Sequence, residues 1–263
     1  MANSKSRQVV AMSLEKTYEK IKGNIPPKTR IDSLEVAKQV EEYRRFWKPE
    51  KTNILLLGES HVYTDEQDYT MKCDEFILHA IIPDYPLRFV RLVCCLGYGE
   101  NGLLKTVRTD RKNTGTPQYW KIFSSCVAEN EQALRFHKIF KTQTKDLGQR
   151  LENKVSVLRK MQDKGIWLLD ASIVGLYGSG EKNHTIAERI IEISWKNYIA
   201  NMILESSPRY TIVTGNDVGR IVGPKLRGVD VPFTVIPQPQ ARGTSQWQLE
   251  NYKKYHRICA KYS

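Results

Sequence analysis

The stretch that decides the fold is NILLLGESHVYTD, residues 53–65. Four consecutive aliphatic residues end abruptly at Gly58 and have the length and flanks of a buried strand. Polar side chains follow at once, with a carboxylate at Glu59, a hydroxyl at Ser60 and an imidazole at His61. The stretch therefore predicts a strand buried on both faces, with a functional site at its carboxyl end.

Outward from this strand, apolar runs alternate with helical patterns, which favours one α/β domain. We predict a three-layer α/β/α architecture around a central, mostly parallel sheet, with residues 1–50 as an N-terminal helical extension packed on a single domain of 1–263. Further strands are predicted within 84–99, 164–170, 209–214 and 231–236, and helices over 12–23, 32–48, 113–126, 129–163, 184–204 and from Gln246 onward.

The charge balance favours a polyanionic partner. The 41 Lys and Arg against 29 Asp and Glu give a net charge of +12. Nucleic acid is the first expectation and an anionic membrane surface the second, while a basic but inert surface is the alternative. The 13 Tyr and 5 Trp favour nucleic acid, because aromatic rings interleaved with cations stack on unpaired bases.

The five cysteines include no C-x-x-C pair and are odd in number. We therefore expect no zinc site, iron–sulfur cluster or disulfide framework, and no metal or other cofactor. The N-terminus lacks the continuous apolar core of a signal peptide, and no apolar run approaches a membrane span. These features predict a monomeric protein of a reducing compartment, the cytoplasm, without a membrane partner.

Polar loops follow the predicted strands, and in a parallel sheet such loops meet at one edge. Glu59 could activate a water molecule or stabilise a developing positive charge, or it could cap the next helix. Asp170 ends an apolar run, where a buried carboxylate needs partners, so it either accepts from a ligand or caps a helix. The loops are 58–63, 168–175, 214–217 and 238–243.

With its loops in this order, the chain resembles the uracil-DNA glycosylase superfamily. The counterparts of four family motifs are GESHVY, GIWLLDASIVG, YTIVTGNDVG and QPQARG, at 58–63, 165–175, 210–219 and 238–243. The resemblance covers about residues 50 to 250. It implies a parallel sheet between helices and cleavage of a base from deoxyribose in double-stranded DNA, after the nucleotide is flipped out and without a metal.

Departures from the family pattern refine this expectation. Glu59 matches the Glu of the family's G-E-x-P-G motif, whereas Ser60 stands where some members have a catalytic Asp, and His61 replaces the proline. Val62 falls where uracil enzymes place a tyrosine that blocks substituents at C5 of the base. Gln238 falls where the family histidine stabilises a uracil anion. Two catalytic groups of uracil excision are therefore absent.

Asp170 occupies the position of the family's base-reading Asn. An ionised carboxylate only accepts hydrogen bonds, so it pairs poorly with O4 of uracil and well with the N4 amine of cytosine. Together with the space left at Val62, this predicts a cytosine carrying a C5 substituent. Glucosylated hydroxymethylcytosine of bacteriophage DNA is such a base, and a glycosylase that excises it would act in antiviral defence.

The resemblance implies roles for named residues. Glu59 is the expected catalytic carboxylate, with Asp65 and Glu66 the second choice. The base-binding candidates are Asp170, Val62, Tyr69 and Gln238, and the DNA-binding candidates are Ser60, His184, Arg242, Thr244 and Ser245.

Three other interpretations stay open at this point. The first is a uracil-type repair glycosylase. The second is a metal-assisted hydrolase in which Glu59 and His61 act as ligands or acid–base groups of a G-E-x-H motif. The third is a member of the glycosylase fold that binds DNA without cleaving it.

Overall fold

A computed structural model describes residues 12–134, 136–177, 184–238 and 243–263, without the side chain of His137. Its sheet has four parallel strands in the order β2-β1-β3-β4. The strands are β1 Ile54–Gly58, β2 Ile166–Asp170, β3 Tyr210–Thr214 and β4 Phe233–Ile236. The predicted α/β class is thus confirmed, and all four carboxyl ends lie along one edge of the sheet.

Helices cover both faces of the sheet. A five-residue π-helical turn, Trp195–Ile199, joins α7 to α8 without a break. The helices are α1 Leu14–Lys22, α2 Leu34–Phe46, α3 Glu66–Thr70, α4 Glu75–Ile81, α5 Pro117–Val127, α6 Leu147–Asp163, α7 His184–Ser194, α8 Ala200–Ser206, α9 Asn216–Gly228 and α10 Ser245–Tyr262.

Side chains that alternate along the strands feed two separate cores. On one face, Leu56 and Leu168 pack with residues of α4, α5, α6 and α10. On the other, Leu57 and Leu169 pack with residues of α1, α7, α8 and α9. Because β1 is central and fully buried, its ILLLG sequence needs no polar face, which is why it reads as a continuous apolar run.

Helix α2 contributes to both cores, through Val40 on one side and Ala37 on the other. Ser33 caps its N-terminus by accepting from the amide of Val36 at 3.3 Å. The indole N–H of Trp167 in β2 donates to the carbonyl of Arg44 at 2.9 Å, which joins the helix to the strand. The division into one domain with an N-terminal extension stays a prediction.

The predicted strand within 84–99 is wrong. This segment is irregular and buried along much of its length, so it has no alternation to support a strand. Part of its backbone pairs with residues 71–73 through an isolated antiparallel bridge between Lys72 and Arg88. Another part is satisfied by the Tyr85 hydroxyl, which accepts from the amide of Leu96 at 2.9 Å and donates to the carbonyl of Cys94 at 2.5 Å.

The predicted helix over 129–163 is correct only in its second half. Asn130 and Asp146 use their side chains to cap separate elements, the 3₁₀ turn at Glu131–Ala133 and helix α6. Two caps within one charged stretch divide it into short turns and a helix. No helix among the described ranges is long and apolar enough to cross a membrane.

Candidate functional site

A cavity of about 270 Å³ opens at the carboxyl ends of the strands, and we call it the strand-end cavity. Four of the predicted site residues line it, namely Ser60, Val62, Asp170 and Gln238. The loops after β1, β2 and β4 therefore meet as the sequence predicts, whereas no residue of the fourth predicted loop, 214–217, which lies within the described residues, lines the cavity. Its other lining residues include the aliphatic Leu92 and Val93 and the aromatic Tyr98, Tyr119 and Tyr177.

Asp170 is the last residue of β2 and is only 3% exposed. Its Oδ2 accepts from Nη2 of Arg44 at 2.5 Å, and the Arg44 side chain is 1% exposed. A buried carboxylate is costly without a partner, and this guanidinium supplies one. Asp170 is thereby held as a hydrogen-bond acceptor at the wall of the cavity.

His61 links this ion pair to a second buried carboxylate. The Nε2–H of His61 donates to Oδ2 of Asp32 at 2.8 Å, since a carboxylate can only accept. Nδ1 faces Nη2 of Arg44 at 3.4 Å and therefore acts as the acceptor. Both ring nitrogens thus have protein partners, which leaves neither free for the metal-ligand role considered for His61.

Asp32 also fastens two of the site loops. Its Oδ1 accepts from the amide of Thr64 at 2.7 Å, and its Oδ2 accepts from the amide of Gly175. Thr64 follows β1 and Gly175 follows β2, so one carboxylate from the segment before α2 fixes both loops. A carboxylate that accepts several hydrogen bonds is well stabilised although it is buried.

Gly58, the last residue of β1, makes room for the Asp170 carboxylate. A Cβ atom there would lie 2.6 Å from Oδ1 of Asp170 and 3.0 Å from the hydroxyl of Tyr119. Gly58 pairs with Asp170 across the parallel ladder. The glycine that ends the opening apolar run is therefore required by close packing at the site rather than by a turn.

Glu59 lies next to the cavity, in contact with two residues that line it. The hydroxyl of Tyr177 donates to its Oε2, and Nε2 of Gln238 lies 3.4 Å from the same oxygen. Nε2 of Gln238 also donates to the Tyr177 hydroxyl at 2.5 Å. Burial raises the pKa of Glu59 above its usual range, and the charges of Asp217 and Asp170 act in the same direction, while the hydrogen bonds oppose them.

The structure does not bring Asp65 or Tyr69 to this cavity. Asp65 caps α3 by accepting from the amide of Asp68 at 2.7 Å and forms ion pairs with Arg108 at 2.5 Å and Arg111 at 3.1 Å. Although burial raises its pKa, these partners hold the pKa of Asp65 below its usual value. The ring of Tyr69 lies under the Arg88 guanidinium, 5.2 Å from its centroid.

The predicted DNA-binding residues are spread over three elements. Ser60 is buried, accepts from the amide of Leu176 at 3.0 Å and donates to the carbonyl of His61 at 2.9 Å. His184 begins α7 and is exposed, and Thr244 caps α10 by accepting from the amide of Trp247 at 3.2 Å. The remaining two are Ser245, the exposed first residue of α10, and Arg242, which lies outside the described residues.

Sequence reasoning missed Arg44, Asp32, Tyr119 and Tyr177. Arg44 lies within a helix whose other charges suggest an ordinary solvated face, so only its contact with Asp170 reveals its role. Asp32 stands directly before the Ser33 cap and looks like part of it. The two tyrosines reach the cavity from α5 and from the loop after β2, which no local pattern indicates.

No protein-family model matches the chain, and no curated protein matches it. A solved structure that resembles it is the solution NMR structure of a "putative Uracil DNA glycosylase" from Methanosarcina acetivorans. The match has 14% sequence identity and a TM-score of 0.38, and it covers 81% of this chain and 94% of the other. A likeness at this level is too distant to assign a family or an activity.

Proposed function

We propose that the protein is a DNA glycosylase that hydrolyses the bond between a flipped, C5-substituted cytosine and its deoxyribose. The observation that carries this proposal is Asp170, a carboxylate paired with buried Arg44 at the wall of a largely apolar cavity. A flat base needs apolar walls to stack on and a few polar groups to read its edge. The four-loop resemblance and the charge of +12 support a DNA substrate.

Asp170 is proposed to read the base by accepting from its exocyclic amine. Since Arg44 occupies Oδ2, Oδ1 is the oxygen left to accept from a ligand. This arrangement favours the N4 amine of cytosine and disfavours O4 of uracil, because two acceptors facing each other repel. Val62 leaves space at the wall for a C5 substituent that a tyrosine would close off.

Glu59 is proposed to act on the sugar. Departure of the base leaves an oxocarbenium-like deoxyribose, whose positive charge a nearby carboxylate stabilises while it orients the attacking water. Tyr177 and Gln238 hold the Glu59 carboxylate in place through hydrogen bonds to one of its oxygens. Excision of glucosylated hydroxymethylcytosine, a base of some bacteriophage genomes, would make the protein an antiviral defence enzyme.

A substrate panel tests the proposal. Duplexes with one uracil, cytosine, hydroxymethylcytosine or glucosylated hydroxymethylcytosine at the same position are incubated with the full chain, and abasic sites are counted after alkaline cleavage. We expect product from the modified cytosines and none from plain cytosine. Cleavage of the uracil duplex alone would identify a uracil-type repair enzyme and remove the modified-cytosine proposal.

Two further results would identify the other candidates. Retention of DNA without abasic sites on any duplex would indicate a non-catalytic DNA-binding protein. Bound metal, together with activity that a chelator abolishes, would favour the metal-assisted hydrolase. Within the ranges that the structure describes, no cluster of three His, Cys, Asp or Glu side chains is arranged to hold a metal ion.

A further inference from the structure

A second cavity, of about 560 Å³, adjoins the strand-end cavity. The two share Tyr98, Gly115 and Thr116 as lining residues, so they are separated only by this wall. The strand-end cavity, at about 270 Å³, has room for a single base. The second cavity lies within the range of roughly 300–1,000 Å³ that small-molecule sites occupy. A ligand that extends from the base past this wall would enter the second cavity.

The wall between the cavities is formed by a close backbone contact between two glycines. Gly99 and Gly115 both have positive φ angles, of 95° and 66°. A Cβ on Gly99 would lie 3.1 Å from the Cα of Gly115, so two backbones touch where side chains would fill the space. Asn113 fixes this contact, because its Oδ1 accepts from the amide of Gly99 at 2.8 Å and its Nδ2 donates to the carbonyl of Gly97 at 2.9 Å.

Buried charges lie at the inner end of the second cavity. Glu100 is 2% exposed and pairs with Arg150 at 2.8 Å and with Lys154 at 2.7 Å. Nζ of Lys154 also lies 5.2 Å from the ring centroid of Trp120. Glu100, Lys154 and Trp120 all line the cavity. Because Arg150, Lys154 and Lys141 surround the Glu100 carboxylate, this cluster fixes the inner wall and presents an ammonium group and an aromatic surface.

Hydroxyl and ammonium groups complete the lining. Thr114 and Thr116 lie on the loop before α5, Lys121 lies on α5, and Lys141 and Thr142 lie before α6. Thr142 is exposed and marks the outer side of the cavity, whereas the exposed Lys141 reaches inward, with its Nζ 3.7 Å from Oε2 of Glu100. Several donors and acceptors beside an aromatic ring match a neutral polyhydroxylated ligand, which has hydroxyls at its rim and apolar C–H groups on its faces.

We propose that the second cavity binds the C5 substituent of the flipped base, and that this substituent is a neutral polyhydroxylated group of hexose size. The inference rests on the proposed function, since it places the base in the strand-end cavity. It assigns recognition of the substituent to the residues that line this cavity, at 98–100, 113–117, 120–121 and 139–142 with Lys154, while Asp170 recognises the amine. Plain cytosine would then lose the contacts that the substituent makes.

A substitution that fills the second cavity with a large side chain tests this assignment. Thr142→Trp places a large ring at the outer side of the second cavity, away from Asp170 and Glu59, on an exposed residue whose replacement leaves the core intact. We expect single-turnover excision of glucosylated hydroxymethylcytosine to slow by at least about tenfold and excision of hydroxymethylcytosine to change by less than about twofold. Gln143→Trp is the matched control, an exposed neighbour that does not line the cavity, and should leave both rates unchanged.

Binding of free nucleosides separates this inference from the proposed function. Calorimetry with the wild-type chain should show that the glucosylated hydroxymethyldeoxycytidine binds about tenfold more tightly than hydroxymethyldeoxycytidine, with the difference lost in Thr142→Trp. If the protein showed this difference in binding but cleaved no DNA, the proposed glycosylase activity would be wrong. The assignment of the second cavity to the sugar would stand.

Three results would overturn the assignment itself. The first is equal binding, or no binding, of the two nucleosides by the wild-type chain. The second is an equal slowing of both substrates in Thr142→Trp but not in Gln143→Trp. The third is binding of inorganic phosphate at the second cavity without binding of either nucleoside. The last result would mean that the cavity takes a DNA phosphate.

Discussion

At the scale of single residues, Glu59 makes the most direct prediction. Glu59→Gln keeps the shape and an acceptor oxygen for Tyr177 but removes the negative charge. We expect single-turnover excision to fall by about 10²- to 10⁴-fold, as for loss of a catalytic carboxylate. Glu50→Gln, an exposed change before the amino end of β1, serves as the control and should keep full activity. Full activity in Glu59→Gln would remove this residue from the mechanism.

The same substitution predicts a change in stability that depends on pH. Because burial raises the pKa of Glu59, the folded state disfavours its ionised form. The resulting cost is absent below the unfolded-state pKa, near the ordinary 4.5, and is fully present above the raised folded-state pKa. Glu59→Gln should therefore melt at a higher temperature than the wild type at neutral pH, and the gap should close as the pH falls. An unchanged gap from neutral to acidic pH would contradict this account.

The pair of Arg44 and Asp170 predicts a coupling energy. Arg44→Met leaves a buried carboxylate unpaired and should destabilise the fold by about 3–5 kcal/mol, and the double variant with Asp170→Asn should recover part of this loss. Urea denaturation of the four proteins measures the coupling. The exposed pair of Arg257 and Glu131 is the control, since exposed ion pairs contribute only about 0–1 kcal/mol. Equal coupling in the two pairs would be the contrary result.

These residues also mark where sequence reasoning stops. Asp170 and Gln238 were predictable, because a polar residue at the end of an apolar strand has a known place in a parallel sheet. Arg44 was not, because its partner lies 126 positions away and only the packing of α2 beside β2 brings them together. Tyr69 was proposed from its sequence proximity to the first motif alone, and the structure places it under Arg88 instead.

At the scale of elements, the end of β1 is the most sensitive point. Gly58→Ala would place a methyl group 2.6 Å from Oδ1 of Asp170, so either the strand or the carboxylate must move. We expect excision to drop by at least about tenfold, because a small displacement of a reading group weakens binding of the transition state. Gly228→Ala is the control, since a Cβ there meets no atom within 4 Å. Comparable excision rates in the two variants would show that Asp170 tolerates displacement.

The elements themselves were predictable where burial leaves a pattern. Strands β1 and β2 are short apolar runs that end in Gly58 and Asp170, and α9 follows a turn signal at Gly215. The segment 84–99 has the same composition as a strand, yet its backbone makes only an isolated bridge at Arg88 and is otherwise satisfied in part by the Tyr85 hydroxyl. Composition cannot distinguish these two ways of burying a chain, because both remove the same apolar surface from water.

At the scale of the whole molecule, the charge of +12 predicts binding that depends on salt. Neutralising DNA phosphates releases bound cations, so the affinity for an unmodified duplex should fall by at least about 10²-fold between roughly 50 and 200 mM NaCl. Fluorescence anisotropy across a salt series measures the slope. A flat response would mean that the positive charge belongs to an inert surface. Substitutions inside the strand-end cavity, such as Asp170→Asn, should leave the slope unchanged.

The hydrogen bonds that Asp32 makes to the loops after β1 and β2 affect the order in which the site forms during translation. Asp32 and Arg44 emerge early, but their partners Gly175 and Asp170 follow 143 and 126 positions later. During synthesis, helix α2 and strand β1 are therefore made well before the residues that complete the strand-end cavity. A nascent chain that stops before β2 would lack Asp170 and the loop that Asp32 holds, so the strand-end cavity forms only after β2 and that loop have been made.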